Sequence, residues 1–273
     1  MSDENQNSWP TNIDESEHRN ASAYDAMAAK RHPLARPAKD KDLEDPLSVV
    51  DEIGWLGGNI RDWKVLCLAA GGGRHSAMYA SAGAKVTVVD ISEGMLELDR
   101  QVAEQRRLPM RILKASMAAM PMLVDGEFDL VVHPVSTCYV SDVRPVFTEV
   151  ARVLRAGGLY ISQHKQPVNL QASLEPRAGF YAIEQPLFAN RPVKSPTTAS
   201  RLREPGTHEY AHTLEQLLGA MCRAGMVIED LTEPNHAKPD DPLGAFGHRC
   251  SFISPYLRVK ARRVGASHSQ LIL

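Results

Sequence analysis

The chain has 273 residues, 43% of them hydrophobic, and a formal net charge of −2. That balance supports a packed core and gives no basic field for nucleic acid or an anionic membrane. No apolar run reaches membrane-span length, and the four cysteines are widely spaced with no C-x-x-C pair, so neither zinc nor a disulfide framework is expected. The polar start carries no signal-peptide pattern, and the expected setting is a reduced, cytoplasmic one.

Residues 1–20 are polar and charged, and a disordered start is expected there. The alanine-rich stretch 21–30 predicts a short helix carrying Tyr24 and Met27, and 31–46, with its prolines and charges, reads as a linker. A helix is predicted over 47–56, leading to Gly57 and Gly58, so that 21–62 forms a helical cap and linker ahead of the first strand. Then the pattern changes. Residues 64–70 are an apolar run of strand length, as for a strand covered on both faces. Gly71, Gly72 and Gly73 follow and let a ligand approach the backbone closely. A short helix over 74–82 stops at Gly83, and a second strand over 86–89 ends at Asp90. A carboxylate at the carboxyl end of a strand, beside a glycine turn, suits the diol of a ribose.

Ser92 is placed to cap a helix over 93–107. Strands are predicted at 110–113 and 128–133. Between 142 and 154, Val143, Val146, Phe147, Val150, Val153 and Leu154 follow helical spacing. Gly157 and Gly158 should end that helix before a fifth strand at 159–162. The segment 163–210 breaks the alternation and reads as an insertion or substrate lid. It mixes Phe180, Tyr181 and Phe188 with Arg177, Arg191, Arg201 and Arg203, which would either meet an acidic substrate or snorkel over an apolar flap. Alternation resumes over 211–264. Thr213 and Gln216 make a capping box, Leu214, Leu217, Leu218 and Met221 mark a buried helix face, and strands are predicted at 226–231 and 257–261. Residues 265–273 form a tail.

These segments resemble the class I S-adenosylmethionine-dependent methyltransferases, in particular the small-molecule group, over roughly 63–158, with weaker support to 262. V-L-C-L-A-A-G-G-G from Val65 to Gly73 is similar to that family's first motif, and V-T-V-V-D ending at Asp90 to the second. A-S-M-A-A-M-P from Ala115 resembles the segment beside the adenine, and E-V-A-R-V-L-R-A-G-G from Glu149 the helix and turn before the fifth strand. The resemblance implies a Rossmann-like, doubly wound α/β sheet of about seven strands, mostly parallel, with the last strand antiparallel and inserted beside the sixth. It also implies a cofactor-binding core at 63–162, completed by 211–264, with S-adenosylmethionine as cofactor. Three positions depart from the family pattern: Cys67 replaces an acid, Ala69 the first glycine of the turn, and Ser116 an aspartate.

By the same resemblance the cofactor site comprises Tyr24, Ala69, Gly71, Gly73, Asp90, Ile91, Met95, Ser116, Met117 and His133. Met95 and Met117 would flank the adenine, although ordinary core packing accounts for them as well. His133 and His164, at the ends of the fourth and fifth strands, are the candidate catalytic residues, and each could instead be a structural histidine. Tyr139, His164, Tyr181, His212 and His248 are the candidate substrate contacts. His208 and His212 are four apart, but Thr213 as helix cap leaves both outside the helix, so no metal is expected. The function that follows is methyl transfer from S-adenosylmethionine to a small molecule by in-line displacement, with no nucleic-acid or membrane partner. Beside a macromolecular acceptor such as a protein, two alternatives remain at this stage. One is a non-catalytic module that binds S-adenosylmethionine. The other is a nicotinamide-dependent oxidoreductase, which the mismatch to G-x-G-x-x-G disfavours.

Overall fold

The apolar run at 64–70 forms strand β1, Lys64–Leu68, in a computed structural model that describes residues 15–189, 191–196, 202–204 and 206–265. Leu66 and Leu68 enter one hydrophobic cluster, Val65 and Cys67 the other. Period-two alternation with both faces buried is what a central strand of a doubly wound sheet requires. The remaining strands are β2 (Lys85–Asp90), β3 (Met110–Lys114), β4 (Phe128–His133), β5 (Leu154–Lys165), β6 (Met226–Thr232) and β7 (Tyr256–Arg263). They form one seven-stranded sheet in the order β3-β2-β1-β4-β5-β7-β6. Pairing is parallel from β3 to β5, and β7 runs antiparallel between β5 and β6. This is the expected architecture, with its inserted last strand.

Ahead of the sheet lie α1 (Glu15–Ala29), α2 (Asp40–Glu44) and α3 (Pro46–Val50). Helices α4 (His75–Ser81), α5 (Glu93–Arg106) and α6 (Arg144–Val153) connect the parallel strands. After β5 come α7 (Pro167–Gln171), a π-helical turn at Glu215–Gly219 leading into α8 (Ala220–Arg223), and α9 (Phe246–Cys250). Tyr79 of α4 and Leu96 of α5 cover one face of the sheet, while Val146, Phe147, Val150 and Val153 of α6 cover the other. Each such side chain, fully buried, contributes about 2 kcal/mol relative to exposure. Ser92 caps α5 as expected, its hydroxyl accepting the Met95 N–H at 3.1 Å. Thr213 and Gln216 form both bonds of the capping box, at 2.8 and 3.0 Å.

Three boundaries differ from the sequence expectation, each for a physical reason. Helix α1 begins at Glu15, so 15–20 are helical where disorder was expected, while 1–14 lie outside the described residues. Its ties are polar: buried Ser16 and Asn20 bond to distant residues, which hydrophobic periodicity does not register. Helix α3 stops at Val50 rather than running to 56, because the Asp51 carboxylate accepts the Leu56 N–H at 2.9 Å and turns the chain. Gly157 and Gly158 lie inside β5 rather than before it. The β4–β5 register shifts there, and Gly157 at φ +74° sits in the irregular stretch. Of the tail, residues 266–273 lie outside the described residues. No helix among the described residues is long and apolar enough to cross a membrane.

Candidate active site

At the carboxyl ends of β1, β2 and β4 the backbone turns sharply. Ala69 adopts φ +46°, a left-handed value that a side chain disfavours, and its N–H reaches the Val89 carbonyl at 2.7 Å. Gly72 and Gly73 follow at φ +111° and +72°. Space is as restrictive as dihedral: a Cβ on Gly71 would fall 2.9 Å from Asp90 Oδ2, and one on Gly73 would fall 2.9 Å from the Leu98 carbonyl. Asp90 braces this turn. Its Oδ2 accepts the Gly71 N–H and its Oδ1 the Ser92 N–H, both at 2.9 Å. Burial pushes its carboxyl above the usual carboxylate range, while bonds from Ser92, Gly71 and Ile91 pull it back.

A second carboxylate holds the turn from beneath, and sequence reasoning missed it. Asp99 is fully buried and accepts the Gly72 N–H at 2.8 Å, the Gly73 N–H at 3.1 Å and the Ser76 hydroxyl. Burial pushes its carboxyl up to about 7, against the pull of those three donors. A signal was present: Asp99 stands three residues from both Leu96 and Val102, on the buried stripe of α5.

Helix α1 lies over these loops. The Asp25 carboxylate accepts the Ser92 hydroxyl at 2.6 Å and the Gly94 N–H at 2.8 Å, tying α1 to the start of α5. Ser116 donates to Glu17, which lines the cavity below; Ser116 itself is buried behind it. Asn20 donates to the carbonyls of Tyr139 and His208, both at 3.0 Å, so the same helix also grips the segment after residue 206.

Under α1 runs a cavity of about 570 Å³. One end is lined by Ala69, Gly71, Asp90, Ile91, Met95 and Met117, the other by Tyr24, Tyr139, Gln163, Lys165, Glu204 and Arg258. The second end is a buried polar network. Tyr24 donates to Tyr139 at 2.9 Å, and Tyr139 donates to Glu204 Oε2 at 2.8 Å. Lys165 donates to Glu204 at 2.9 Å and to Glu209, which also takes Arg203. Burial lifts both tyrosines well above the usual phenol range, aided by the Glu204 charge. Burial alone would depress the Lys165 ammonium, but Glu204 and Glu209 outweigh it and hold the group above the ordinary lysine range.

The histidines divide. His133 lines the cavity, yet both ring nitrogens are engaged: Nδ1 lies 2.8 Å from the Tyr160 hydroxyl and Nε2 2.5 Å from Ser136 Oγ. Burial lowers it to about 3, so it is neutral near pH 7. His164 is not among the cavity-lining residues. It sits between Thr137 and Ser162 at 2.8 and 2.7 Å, also lowered to about 3, first by burial. His212 is buried against the carbonyls of Thr137 and Val140, each 3.0 Å from Nε2. Tyr181 and His248 meet each other at 2.9 Å, away from the cavity. Of the expected substrate contacts the cavity therefore gathers Tyr139 alone. His164, His212, Tyr181 and His248 lie off the cavity wall: His164 is bonded through both ring nitrogens, His212 through Nε2, and His248 through Nδ1 to Tyr181. Gly73 also lies off the cavity wall and shapes the turn from behind. Of the lid arginines, Arg203 is buried against Glu209, Arg177 pairs with Glu184 at the surface, and Arg201 lies outside the described residues.

Known proteins share this arrangement. A family model described as a methyltransferase domain matches residues 66–162, from β1 into β5. The chain is 34% identical over 177 residues to the uncharacterized methyltransferase YbaJ of Bacillus subtilis, covering 64% of this chain and 69% of that protein. It is 32% identical over 120 residues to the demethylmenaquinone methyltransferase of Renibacterium salmoninarum, covering 44% of this chain and about half, 47%, of that enzyme. The crystal structure of an S-adenosylmethionine dependent methyltransferase from Mesorhizobium loti superposes with a TM-score of 0.59 at 22% identity, over 75% of this chain and 93% of that one. The sheet order, the glycine turn braced by Asp90 and the matching relatives lead to one conclusion: the chain belongs to the methyltransferases, with the fold of the S-adenosylmethionine-dependent ones.

Proposed function

We propose that this methyltransferase acts on a small molecule held at the polar end of the cavity. The observation that carries the reading is continuity: a single cavity of about 570 Å³ joins Gly71 and Asp90 to Tyr139 and Lys165. That is the size of a small-ligand site rather than a macromolecular groove. The residues present fit the cofactor. The glycine turn has no room for a Cβ, and Asp90, whose two oxygens take backbone bonds from Gly71, Ser92 and Ile91, keeps a lone pair for a ribose hydroxyl. Ile91, Met95 and Met117 offer the apolar surface on which an adenine packs, and Ala69 and Gly71 the approach for the amino-acid end.

When bound, the cofactor supplies a methyl group activated on a sulfonium. The chain's own residues hold the acceptor in line and exclude water. His133, neutral and bonded through both ring nitrogens, serves as wall rather than base. In this reading 63–162 is the cofactor core and the described residues of 163–210 close the acceptor end, supported by the bonds of Asn20 to the His208 carbonyl and of Lys165 to the Leu202 carbonyl. The test is to incubate the protein with a bacterial extract and S-adenosylmethionine carrying a labelled methyl, then to separate the products by size. Label in the small-molecule fraction is expected. Label confined to protein or nucleic acid would overturn the proposal.

A further inference from the structure

The polar end of the cavity contains a directed line of hydroxyls that cofactor binding does not require. Tyr24 donates to Tyr139 at 2.9 Å, and Tyr139 donates to Glu204 at 2.8 Å. All three side chains line the cavity. Because its proton points toward Tyr139, the Tyr24 oxygen offers the cavity lone pairs only. A ligand group meeting it must be a hydrogen-bond donor. The four buried charges behind it balance, with Lys165 and Arg203 against Glu204 and Glu209. A neutral partner therefore fits better than a carboxylate.

Three other titratable groups on the cavity wall are committed. Asp90 holds Gly71 and Ser92, Glu17 takes the Ser116 hydroxyl, and both nitrogens of His133 are engaged. Of these wall carboxylates, Glu204 is the one joined to a hydrogen-bonded path that opens on the acceptor end. A thiol reaches its reactive anion easily in water, whereas an alcohol or phenol does not, so a base with a path is of most use to a hydroxyl.

We propose that Tyr24, Tyr139 and Glu204 form a proton relay for a neutral hydroxyl acceptor, with Glu204 as the terminal base. This rests on the small-acceptor reading above. As the acceptor oxygen forms its bond to the methyl carbon, the sulfur–methyl bond breaks and its electron pair stays on sulfur, giving the neutral thioether. The acceptor proton passes to Tyr24, the Tyr24 proton to Tyr139, and the Tyr139 proton to the Glu204 carboxylate. Both phenols end as they began. Glu204, whose side chain is 12% exposed, returns the proton to solvent.

The test uses the full chain with S-adenosylmethionine and four probes: phenol, benzyl alcohol, thiophenol and benzoate. Transfer to a hydroxyl probe and none to benzoate is expected. Tyr24→Phe and Glu204→Gln should each lower kcat about 100-fold or more, with KM for the probe changed only a few-fold. Glu204→Gln also takes a carboxylate from Lys165. If it does not fold, Tyr24→Phe decides, since it leaves every ion pair in place. A wild-type kcat in Tyr24→Phe overturns the relay. So does transfer to benzoate that ignores Tyr24→Phe, and so does no transfer to either hydroxyl probe; any transfer to thiophenol should be unaffected by Tyr24→Phe, and a fall as large as that for the hydroxyl probes overturns the relay as well. Calorimetric binding of S-adenosylhomocysteine separates the failures. Retained binding leaves the methyltransferase in place with a different acceptor, and lost binding removes the small-acceptor reading and the relay together.

Discussion

Asp99 reaches from α5 to the glycine turn and accepts the Gly72 N–H at 2.8 Å. The strand before the turn carries Cys67 where the family resemblance implies an acid, yet the turn still has a buried carboxylate, delivered from the helix after β2. Three donors converge on it, and the shape of the turn depends on their staying paired.

Asp99→Ala would leave the Gly73 N–H without its acceptor in a buried place and the Gly72 N–H with the Met95 carbonyl alone, at 3.1 Å. Each such loss costs about 1–3 kcal/mol. S-adenosylhomocysteine affinity should fall about tenfold or more, and the unfolding midpoint in urea should drop. Calorimetry and urea titration check both.

Asp99 also makes a pH prediction. Its folded carboxyl is raised to about 7, against about 3.9 in an unfolded chain. A raised value means that the folded state holds the proton longer. Stability from this group is therefore full below pH of about 4 and is lost as pH rises toward 7, by up to about 4 kcal/mol. Asp99→Asn does not titrate, so the difference in unfolding free energy between variant and wild type should change across that window. A constant difference would show that Asp99 ionises normally.

His133 and His164 act in the opposite sense. Both are lowered to about 3, so both stay neutral in the fold while the unfolded chain takes up protons below about 6.5. Their stability contribution is present above that value and is lost as pH falls toward 3, at about 1.4 kcal/mol per pH unit for each histidine. The carbon resonances of both rings should not move between pH 5 and 8. A titration midpoint near 6.5 for His133 would reopen its candidacy as a base.

Lys165 is buried between Glu204 and Glu209. Lys165→Met would leave Glu204 without its cation and Glu209 with Arg203 alone, at a cost of about 3–5 kcal/mol. The variant should unfold at markedly lower temperature and lose protection from proteolysis in the segment after residue 202. Unchanged stability would mean that the segment is held by other contacts.

What the sequence revealed follows from where the physics is local. F-D-L-V-V-H declared β4 from Phe128 to His133 because a short, mostly apolar run with two adjacent valines between turns has few other fates. Ser92 and Thr213 were legible as caps because a cap needs only its own next turn. Asp90 was legible because the glycine turn precedes it by one strand and one helix. Ser16 and Asn20 were not, since their partners lie 194 and 119 residues away. Neither were Lys165 and Glu204, whose charges mean nothing until the chain folds back 39 residues to pair them. His164, His212, Tyr181 and His248 looked available for a ligand because a sequence does not show which ring nitrogens and hydroxyls are already bonded.

The central claim is that the glycine turn and Asp90 hold S-adenosylmethionine. The most direct measurement is calorimetric titration of wild type and Asp90→Asn with S-adenosylhomocysteine, with NAD as control. One-site binding to wild type, at least about tenfold weaker in the variant through loss of charge-assisted bonds to the ribose, and no response to NAD, is the expected result. No binding of S-adenosylhomocysteine to wild type, or equal affinity in Asp90→Asn, would contradict it.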